Sequence, residues 1–572
     1  MTHPPTSLVD ILQWRAKFQP NRLAYRFLTD GENKEDVFSY EELDQRARSI
    51  GAMLQISANA GDRVLLLLPP GLDFIAAFFG CLYAGVIAVP AYPPHPARLE
   101  KMLPVIHGII ENAQPSVSLM SASLRDAIMN SEIGRVGFKD VKLLVPQNED
   151  LSHLQQKWQK PEIAENDIAF LQYTSGSTSK PRGVMVSHAN LLHNLGLIEK
   201  SFGQSSESHA VIWLPPYHDM GLVGGILQPL YTGYPVTLLP HLMFLQQPLR
   251  WLQAIDRYRA TTSGGPNFAY DLCVRKIRPE QRKLLDLSCW EVAFNGAEQV
   301  YHRTLQAFAD YFAPTGFRRE SFLPCYGLAE ATLLVTGGPK ARLPVISYCE
   351  SSMLQQNKVI TSQIETDETR ALVGCGQDIF HQNIKIVDAE SGTPCLPGQV
   401  GEIWLSGPSV TRGYWNNVRE TEATFGARLA NSGEGPFLRS GDLGFIQEGE
   451  LFITGRLKNM IISAGNNHYP NDIEKTIESA HHAIRPAGCA AFSINHAATE
   501  QLIVIVEIEQ KPDVTAEEIR KAIRNAVSLN HDLSVSDIRL TGAGRIPRTL
   551  SGKIKHYLCK SDYMAGNIKE IN

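Results

Sequence analysis

Two apolar runs that contain no charged residue constrain the fold of this chain most strongly. Residues 64–68 show no polar alternation, which predicts a strand that is covered on both faces. Residues 74–83 predict a helix, and residues 86–89 predict the next strand. Because buried strands and helices alternate, we predict an α/β fold with a parallel, doubly wound sheet. A ligand should then bind outside the carboxyl ends of its strands.

The chain of 572 residues is too long for one hydrophobic core, which predicts at least two domains. Its 43% apolar and 20% charged residues are ordinary for a soluble globular protein. The net charge of −5, without a long basic run, excludes the pattern expected of a nucleic-acid partner. The nine cysteines contain no Cys-x-x-Cys pair, which favours a reducing compartment over a disulfide frame or a zinc site.

Targeting signals are not apparent in the sequence. The amino terminus lacks the basic and apolar regions of a signal peptide. The apolar stretch 74–89 is shorter than the roughly 20 residues of a membrane span, and prolines bracket it. We therefore expect a cytoplasmic protein with no transmembrane segment.

A loop rich in glycine and hydroxyl side chains occupies residues 173–183, between two predicted strands. Its backbone N–H groups and hydroxyls can hold an anion, and Lys180 and Arg182 add positive charge. The loop lacks the Gly-Lys-Ser/Thr of a Walker A motif, and no helix follows it directly, which disfavours a kinase or Walker-type ATPase. A phosphate site is favoured, and a flexible polar hairpin is the alternative.

Other polar segments follow predicted strands, and each has a plain structural alternative. His218 lies in Pro-Pro-Tyr-His-Asp-Met-Gly and is either a site residue or a loop histidine without chemistry. Asp442, in a tight glycine turn, can accept hydrogen bonds from a ribose diol or only form the turn. Phe268 and Tyr326 are either site aromatics or core aromatics, and Lys553 is either an active-site lysine or a solvated tail lysine.

Segment 173–183 resembles the phosphate loop of the acyl-adenylate-forming superfamily, which comprises acyl-CoA synthetases, luciferases and adenylation domains. The resemblance covers nearly the whole chain, with several motifs in the family's order. Two features narrow it to fatty acyl-AMP ligases: Asn-His-Tyr-Pro at 467–470, and a polar segment at about 344–370. That segment is either a plain surface loop or the insertion that, in this family, is taken to restrain domain movement and oppose the use of CoA.

The resemblance implies a large amino-terminal domain of doubly wound sheets with a β-rich subdomain, residues 1–455. It implies a small, mobile α+β domain at residues 456–572, with Lys458 as the hinge about which this domain rotates between two reaction steps. ATP and Mg²⁺ are the implied cofactors. The phosphates are expected at Thr174, Ser175, Gly176, Ser177, Thr178 and Lys180.

Adenine is expected between two loops, with Tyr326 stacked on it and glycine at 296 allowing close approach of the ring. These loops contain Asn295, Gly296, Ala297, Tyr326, Gly327, Leu328 and Ala329. Ala329 replaces the threonine of most relatives, so one phosphate hydrogen bond is expected to be absent or replaced. The ribose is expected at Asp442 and Arg456.

The implied catalytic residues are Lys553, His218 and Glu330, and Glu330 is also the implied Mg²⁺ ligand. The acyl group is expected beside His218, with Met220, Gly221 and Phe268 as further substrate residues. Attack of a carboxylate on a phosphate requires positive charge at the attacked and departing groups. Lys553, the cation at Glu330 and the phosphate loop would supply that charge.

The implied function is ATP-dependent activation of a medium- or long-chain fatty acid to acyl-AMP, with release of pyrophosphate. The acyl group then passes to the phosphopantetheine thiol of an acyl carrier protein, or of a carrier domain in a polyketide or nonribosomal synthase. A fatty acyl-CoA synthetase is the first alternative. A catalytically silent protein that senses acyl-adenylate is the second.

Overall fold

The structure is a computed structural model that describes residues 5–146, 151–174, 181–378, 382–463, 466–496, 499–509, 514–548 and 553–571. The chain forms two compact units. Unit 1 comprises Met1–Val345, Val373–Ile384 and Leu405–Arg439. Unit 2 comprises Ile346–Leu372, Lys385–Trp404 and Ser440–Asn572.

Helices and strands alternate through the described part of residues 1–345. The helices are α1 (Leu8–Phe18), α2 (Tyr40–Gln55), α3 (Leu72–Ala84), α4 (Leu99–Ala113), α5 (Ala122–Asn130), α6 (Glu132–Gly137), α7 (His188–Phe202), α8 (Gln228–Thr232), α9 (His241–Gln246), α10 (Leu249–Arg257), α11 (Asn267–Lys276), α12 (Pro279–Arg282) and α13 (His302–Phe312). The strands are β1 (Leu23–Leu28), β2 (Glu35–Ser39), β3 (Arg63–Leu67), β4 (Ile87–Pro90), β5 (Val117–Met120), β6 (Lys142–Leu144), β7 (Ile168–Thr174), β8 (Arg182–Ser187), β9 (Ala210–Ile212), β10 (Val236–Leu238), β11 (Thr262–Gly265), β12 (Val292–Asn295), β13 (Phe322–Gly327) and β14 (Leu334–Gly337).

The described remainder of the chain is richer in strands. Its helices are α14 (Ser351–Leu354), α15 (Val418–Phe425), α16 (Pro470–Ala480), α17 (Ala516–His531) and α18 (His556–Met564). Its strands are β15 (Ile346–Glu350), β16 (Thr361–Ser362), β17 (Thr369–Asp378), β18 (Asn383–Val387), β19 (Gly401–Ser406), β20 (Leu438–Gln447), β21 (Glu450–Arg456), β22 (Ile461–Ser463), β23 (Asn466–His468), β24 (Ile484–His496), β25 (Thr499–Ile508) and β26 (Val535–Thr541).

Unit 1 contains two sheets of mainly parallel strands. The first has the order β6–β5–β3–β4–β7–β8, in which β8 runs antiparallel to β7. In the second, the order β2–β1–β10–β9–β11–β12–β13–β14 places six parallel strands between antiparallel β2 and β14. The predicted doubly wound α/β fold is confirmed.

Helix α3 contains the uncharged run 74–83 and is buried between the two sheets. Every residue of this helix except Asp73 is buried, and the helix contacts β3 and β4 of one sheet and β1 of the other. Burial of a phenylalanine side chain contributes about 1.5–3 kcal/mol, so its three phenylalanines join the sheets strongly. Gly80 allows α2 to approach, because a Cβ there would lie 2.4 Å from Ile50 Cγ2. Gly85 ends the helix at a φ of +72°.

The helix caps follow the sequence signals. Ser39 and Glu42 form the predicted capping box of α2. Ser187 caps α7 by accepting the Asn190 N–H at 3.1 Å. Thr515 caps α17 by accepting the Glu518 N–H at 3.2 Å. Each cap contributes about 1 kcal/mol and fixes where its helix begins.

Unit 2 contains a small α+β fold around the sheet β24–β25–β26. Helices α16 and α17 pack on one face of this sheet through an apolar cluster that includes Ile473, Ile523 and Val504. Helix α18 contributes Cys559 to a second cluster, with Phe492 and other residues of β24 and β25. Strand β25 is antiparallel to β24 and parallel to β26. The predicted α+β fold of this region is confirmed.

Most of the polar segment 344–370 belongs to unit 2, where it forms β15, α14 and β16. The Gln355 carbonyl accepts the Asn467 N–H at 3.0 Å. The Arg370 guanidinium lies 3.2 Å from the Asp472 carboxylate and 4.6 Å from the centre of the Tyr469 ring. The segment is therefore integrated into its unit, which disfavours a plain surface loop. The division at residues 455 and 456 concerns movement during catalysis and stays a prediction.

Membrane-spanning helices are absent from the described ranges, because none of their helices combines the length and the apolar character that a bilayer requires.

Candidate active site

Four neighbouring parallel strands of unit 1 end at the segments that the sequence singled out. In sheet order, β9 precedes His218, β11 precedes Phe268, β12 ends at Asn295, and β13 ends at Gly327. Carboxyl ends of parallel strands meet at one edge of a sheet, so these segments lie side by side. This edge is the place where a doubly wound sheet binds its ligands.

The His218 ring is fixed by its neighbour in sequence. Nδ1 lies 2.6 Å from Asp219 Oδ1, and the Met220 N–H donates to the same carboxylate oxygen at 2.7 Å. With Asp219 accepting, Nδ1 is assigned the proton and Nε2 is left for other partners. The imidazole is half-buried, with 35% of its side chain exposed. This geometry suits a site residue that must keep one orientation.

A π-helix covers Met220–Leu227. Helices of this type are rare and occur often at functional sites. Gly221 is required there, since a Cβ would lie 2.0 Å from the Pro215 carbonyl oxygen. Gly221 also lines an apolar cavity together with Phe27, Phe74, Ile212 and Leu238. Met220 lies half-buried at the start of the π-helix.

Phe268 lies half-buried at the first turn of α11. Its N–H donates to Glu298 Oε1 at 2.6 Å. Its ring makes an edge contact with Trp213, with the ring centres 6.1 Å apart. Trp213 in turn stacks on Phe244 at 4.0 Å. Phe268 is therefore an apolar wall at this edge of the sheet, and its contact with an acyl chain stays a prediction.

The loop that follows β12 carries two unfavourable features. Asn295 is fully buried, and neither its Nδ2 nor its Oδ1 has a hydrogen-bond partner within the described ranges. Ala297 adopts a φ of +72°, a left-handed conformation that is strained for a residue with a Cβ. An unpaired buried amide costs about 1–3 kcal/mol. Such costs cluster at functional sites.

Gly296 allows the loop after β12 to lie close to the neighbouring strand β13. A Cβ at 296 would lie 2.9 Å from the Cys325 carbonyl oxygen and 3.0 Å from its Sγ. The sequence analysis attributed this glycine to a flat ligand ring, whereas in the structure its own neighbour strand already requires it. Tyr326, the predicted stacking residue, is buried in β13, with 8% of its surface exposed.

The end of β13 is tightly folded around Glu330. A Cβ at Gly327 would lie 1.8 Å from the Leu333 carbonyl oxygen. Leu328, Ala329 and Glu330 then lead to Thr332, whose φ of +69° and ψ of −61° belong to a strained γ-turn. The Leu333 N–H donates to the Ala331 carbonyl at 2.8 Å and closes this turn. The backbone around Glu330 is therefore held in an uncommon conformation.

Tyr414 contacts Glu330, although 84 residues separate them in sequence. The Tyr414 hydroxyl donates to Glu330 Oε1 at 2.8 Å. Burial, with the nearby Glu330 carboxylate adding to it, raises the pKa of Tyr414, so the hydroxyl keeps its proton and donates. The Thr411 N–H also donates to the Glu330 carbonyl at 2.9 Å. The sequence analysis missed Tyr414, and only the Arg-Gly-Tyr-Trp run at 412–415 could have drawn attention to it.

The predicted hairpin around the phosphate loop is present, with Thr174 of β7 paired to Arg182 of β8. Arg182 forms an ion pair of 2.7 Å with Glu420 and lies over the Tyr414 ring at 5.3 Å. The predicted phosphate residues Ser175, Gly176, Ser177, Thr178 and Lys180 lie outside the described residues.

Glu330 is the carboxylate of this site that could hold a magnesium ion. Within the described ranges, no cluster of three or more His, Cys, Asp and Glu side chains has the arrangement of a metal site. Glu330 is a half-buried carboxylate whose Oε2 has no hydrogen-bond partner among the described residues. Magnesium in nucleotide enzymes is held by one or two carboxylates together with substrate phosphates. A single carboxylate such as Glu330 fits that requirement.

In unit 2, Asp442 and Arg456 face each other across the antiparallel pair β20 and β21. Their side chains form an ion pair of 2.7 Å, in which the Arg456 side chain is 58% exposed. The Asp442 N–H donates to Ser440 Oγ at 3.0 Å, and Gly441 takes a φ of +71° in the same turn. Lys458 follows in a short 3₁₀ turn, Leu457–Asn459.

Lys553 lies in unit 2, between two described residues that pair with each other. Arg548 pairs with Ile554, and the Lys555 N–H donates to the Pro547 carbonyl at 2.9 Å. Immediately after it, His556 Nε2 lies 2.6 Å from Glu474 Oε1. Burial opposes a charge on His556, but its contacts with Glu474 outweigh that effect and raise the pKa of the imidazole. Lys553 itself is half-buried.

Comparison with protein families agrees with this site. A family model described as AMP-binding enzyme matches residues 12–415, and one described as Disco-interacting protein 2-like, AMP domain, matches residues 458–572. The chain belongs to the AMP-binding enzyme family.

Individual relatives are similar over their whole length. The medium-chain-fatty-acid–[acyl-carrier-protein] ligase JamA of Moorena producens is 46% identical, over 99% of this chain and 96% of its own. A putative fatty-acid–CoA ligase, fadD21 of Mycobacterium leprae, is 36% identical, over 98% of each chain. The crystal structure of a fatty acyl-adenylate ligase from L. pneumophila, in complex with acyl adenylate and pyrophosphate, is 42% identical, covers 98% of this chain and 96% of its own, and gives a TM-score of 0.77. The predicted superfamily, and its narrowing to fatty acyl-AMP ligases, are confirmed.

Proposed function

We propose that this chain activates a medium- or long-chain fatty acid with ATP and passes the acyl group to a carrier thiol. In the first step, a fatty carboxylate oxygen bonds to the α-phosphorus, and the bond from that phosphorus to the bridging oxygen breaks, so pyrophosphate leaves. In the second step, the phosphopantetheine sulfur bonds to the acyl carbon, AMP leaves, and the thiol proton is released. The carrier is an acyl carrier protein, or a carrier domain of a polyketide or nonribosomal synthase.

The observation that carries this proposal is the row of four strand ends in unit 1. It brings His218, Phe268, Asn295 and Glu330 to one edge of a parallel sheet. Apolar groups lie around Gly221 and Phe268, and polar groups lie at Asn295 and Glu330. An acyl-adenylate likewise has an apolar hydrocarbon chain at one end and a polar nucleotide at the other.

The chain's own residues bind the nucleotide at three places. Adenine lies between the loop Asn295–Gly296–Ala297 and the loop Tyr326–Gly327–Leu328–Ala329, and the ribose meets Asp442 and Arg456. The phosphates meet Thr174, Ser175, Gly176, Ser177, Thr178 and Lys180. Lys553 neutralises charge between the fatty carboxylate and the α-phosphate, which otherwise repel each other. Lys458 is the hinge about which the small domain rotates after this step.

Mg²⁺ fits this site as a cation that arrives with the triphosphate, and Glu330 would hold it. When bound, it supplies neutralisation of charge on the phosphates. The half-buried Glu330 carboxylate has one oxygen held by Tyr414, which leaves the other for the cation. His218 orients the reacting carboxylate, because Asp219 fixes its ring. Met220, Gly221 and Phe268 bind the hydrocarbon chain away from water.

The contacts of the polar segment 344–370 support the choice of a carrier thiol over CoA. Its Gln355 and Arg370 contact Asn467 and Asp472, which follow the proposed hinge in sequence. Such contacts restrain the part of unit 2 that contains Lys553. The name of the fadD21 relative favours a fatty acyl-CoA synthetase, which is the second candidate function.

Pyrophosphate release tests the first step. The protein is incubated with ATP, Mg²⁺ and either octanoate, dodecanoate or hexadecanoate, and the product is identified by intact mass. We expect pyrophosphate and acyl-AMP in equal amounts, and neither without fatty acid. Absence of pyrophosphate release with every fatty acid would instead favour a silent protein that senses acyl-adenylate. The same reactions establish which chain length is preferred.

A further inference from the structure

Tyr414 contacts both the proposed cation ligand Glu330 and the hairpin β7–β8. Its ring is buried, with 4% of its surface exposed. Its hydroxyl is the partner of Glu330 Oε1. A buried tyrosine whose hydroxyl donates to a carboxylate of the site can affect the reaction by fixing the orientation of that carboxylate.

The backbone of Tyr414 is attached to β8, the last strand of its sheet. Tyr414 pairs with Val184 in an antiparallel bridge. The Met185 N–H donates to the Gly413 carbonyl at 3.0 Å, and the Trp415 N–H donates to the Gly183 carbonyl at 2.8 Å. The short segment 413–415 therefore covers the edge of the hairpin that leads out of the phosphate loop.

The direction of the Tyr414 side chain is set by the residue before it and by α15. Gly413 has a φ of +123°, and a Cβ there would lie 2.2 Å from Thr421 Cγ2. The Tyr414 N–H donates to Thr421 Oγ1 at 3.0 Å. Phe425 makes an edge contact with the ring, at 5.3 Å between ring centres. These contacts leave the hydroxyl little freedom to move away from Glu330.

The same ring lies beside the positive charge at the start of β8. The Arg182 guanidinium is 5.3 Å from the ring centre, and Glu420 pairs with Arg182 at 2.7 Å. Glu330 is also held through its backbone, since its carbonyl accepts the Thr411 N–H. Residues 411–415 thus connect the carboxylate at the end of β13 with the strand that follows the phosphate loop.

We infer that Tyr414 is a positioning residue, whose hydroxyl holds Glu330 in the orientation that receives a divalent cation carried by the triphosphate. The inference rests on the proposed function. A glutamate side chain that becomes fixed only on binding loses rotamer entropy at that moment, which weakens binding. The Tyr414 hydrogen bond fixes the carboxylate before the nucleotide arrives, and its attachment to β8 aligns the carboxylate with the hairpin.

Cation binding in the absence of chemistry tests this inference. Mn²⁺ replaces Mg²⁺, and the nucleotide is an ATP analogue with a methylene bridge between the α- and β-phosphates, which cannot release pyrophosphate. The Mn²⁺ signal in electron paramagnetic resonance then reports how tightly the protein–analogue complex holds the cation. We expect Tyr414→Phe to weaken Mn²⁺ binding about tenfold, the lower end for groups that orient a metal ligand. Binding of AMP without metal is expected to stay unchanged.

Tyr311→Phe is the matched control. The Tyr311 hydroxyl donates to the Ile277 carbonyl at 2.6 Å, and Arg282 lies over its ring at 4.5 Å. The control therefore loses a tyrosine hydroxyl contact that is made to a backbone carbonyl and not to Glu330. We expect this variant to bind Mn²⁺ as the wild type does. If Tyr414→Phe does not fold, Thr421→Val removes the acceptor of the Tyr414 N–H. Thr421→Val is also expected to weaken Mn²⁺ binding, but by less than tenfold.

A double variant separates positioning from a general structural role. Because Tyr414 is inferred to act through Glu330, Tyr414→Phe should add no further loss to Glu330→Gln. Additive losses, an equal loss of AMP binding, or wild-type Mn²⁺ affinity in Tyr414→Phe would each overturn the inference. If the wild type releases no pyrophosphate and binds no Mn²⁺ with the analogue, the proposed function fails as well. An active wild type with an unaffected Tyr414→Phe would refute the role of Tyr414 alone.

Discussion

In unit 1 the candidate residues stand at the ends of four parallel strands, whereas in unit 2 Asp442 and Arg456 lie on a hairpin and are joined by a side-chain ion pair. Asn295 and Glu330 owe their positions to β12, β13 and the glycines at 296 and 327. Asp442, by contrast, has its carboxylate paired with Arg456, whose side chain is 58% exposed. Backbone placement cannot be exchanged without unfolding a sheet, whereas an exposed ion pair can exchange partners at little cost.

This difference matches two kinds of task. A site that must be ready before the nucleotide binds requires fixed groups, and unit 1 has them, including an unpaired amide at Asn295 and strained backbone at Ala297 and Thr332. Groups that act in only one of two steps must change partners. The Arg456–Asp442 pair, in which Arg456 is largely exposed, is suited to such a change.

The largest expected effect concerns Lys553. Lys553→Ala should lower the rate of acyl-AMP formation by about 10²–10³-fold, the loss usual when one group that stabilises developing charge is removed. Pyrophosphate release measures this rate. Transfer from separately supplied acyl-AMP to a carrier thiol should keep its wild-type rate.

The control for Lys553 is Lys560→Ala, which removes an exposed lysine from α18 of the same unit. It should leave both steps unchanged. If Lys553→Ala formed acyl-AMP at the normal rate, Lys553 would have no role in the first step. The proposed difference between fixed groups in unit 1 and step-specific groups in unit 2 would then be contradicted.

The next effect concerns stability and its dependence on pH. His556→Phe leaves the buried Glu474 without its charged partner, which should lower the free energy of unfolding by about 3 kcal/mol near neutral pH. Because Glu474 raises the pKa of His556, the folded protein holds this proton more tightly than the unfolded chain does. The stabilisation is therefore complete below the ordinary histidine pKa and is lost as pH rises through the raised value.

Chemical unfolding near pH 6 and near pH 9 checks this sign, since the ordinary histidine pKa is about 6.5. The difference between wild type and His556→Phe should be larger at the lower pH. His482→Phe, an exposed position of the same unit, serves as the control and should show no such trend. A difference that grows with pH would show that the pair is not held by a charged imidazole.

The smallest effect concerns the ribose contact. Asp442→Ala should raise the KM for ATP about tenfold, as expected for loss of a hydrogen bond to a charged group. Unfolding should change little, because Arg456 is mostly exposed. Glu509→Ala breaks an ion pair of 3.2 Å with Arg485 elsewhere in unit 2, in which both side chains are exposed, and should leave the KM unchanged. Equal effects of the two substitutions would contradict a ribose role for Asp442.

Much of the secondary structure and sheet arrangement could be predicted, because the sequence patterns that determine them are local. The uncharged run at 74–83 can only be a buried helix, and Ser39 with Glu42 marks the start of α2. The row of strand ends follows from parallel pairing, since each polar segment comes directly after an apolar strand. The segments after β12 and β13 could therefore be assigned to one site before any coordinates were known.

The long-range contacts could not be predicted. Tyr414 and Glu330 are 84 residues apart, and Glu474 and His556 are 82 residues apart. Neither pair follows from periodicity or from a motif. The π-helix Met220–Leu227 was also missed, because its glycines give no periodic signal. The sequence attributed Gly296 to a ligand, whereas close packing against Cys325 already requires a glycine there.

The central claim is that this chain makes acyl-AMP and passes the acyl group to a carrier thiol. The most direct test supplies ATP, Mg²⁺ and dodecanoate together with equal concentrations of CoA and of an acyl carrier protein bearing phosphopantetheine. Mass spectrometry then measures the two thioesters in the same reaction. The account predicts dodecanoyl-carrier protein with little dodecanoyl-CoA, and abundant dodecanoyl-CoA would contradict it.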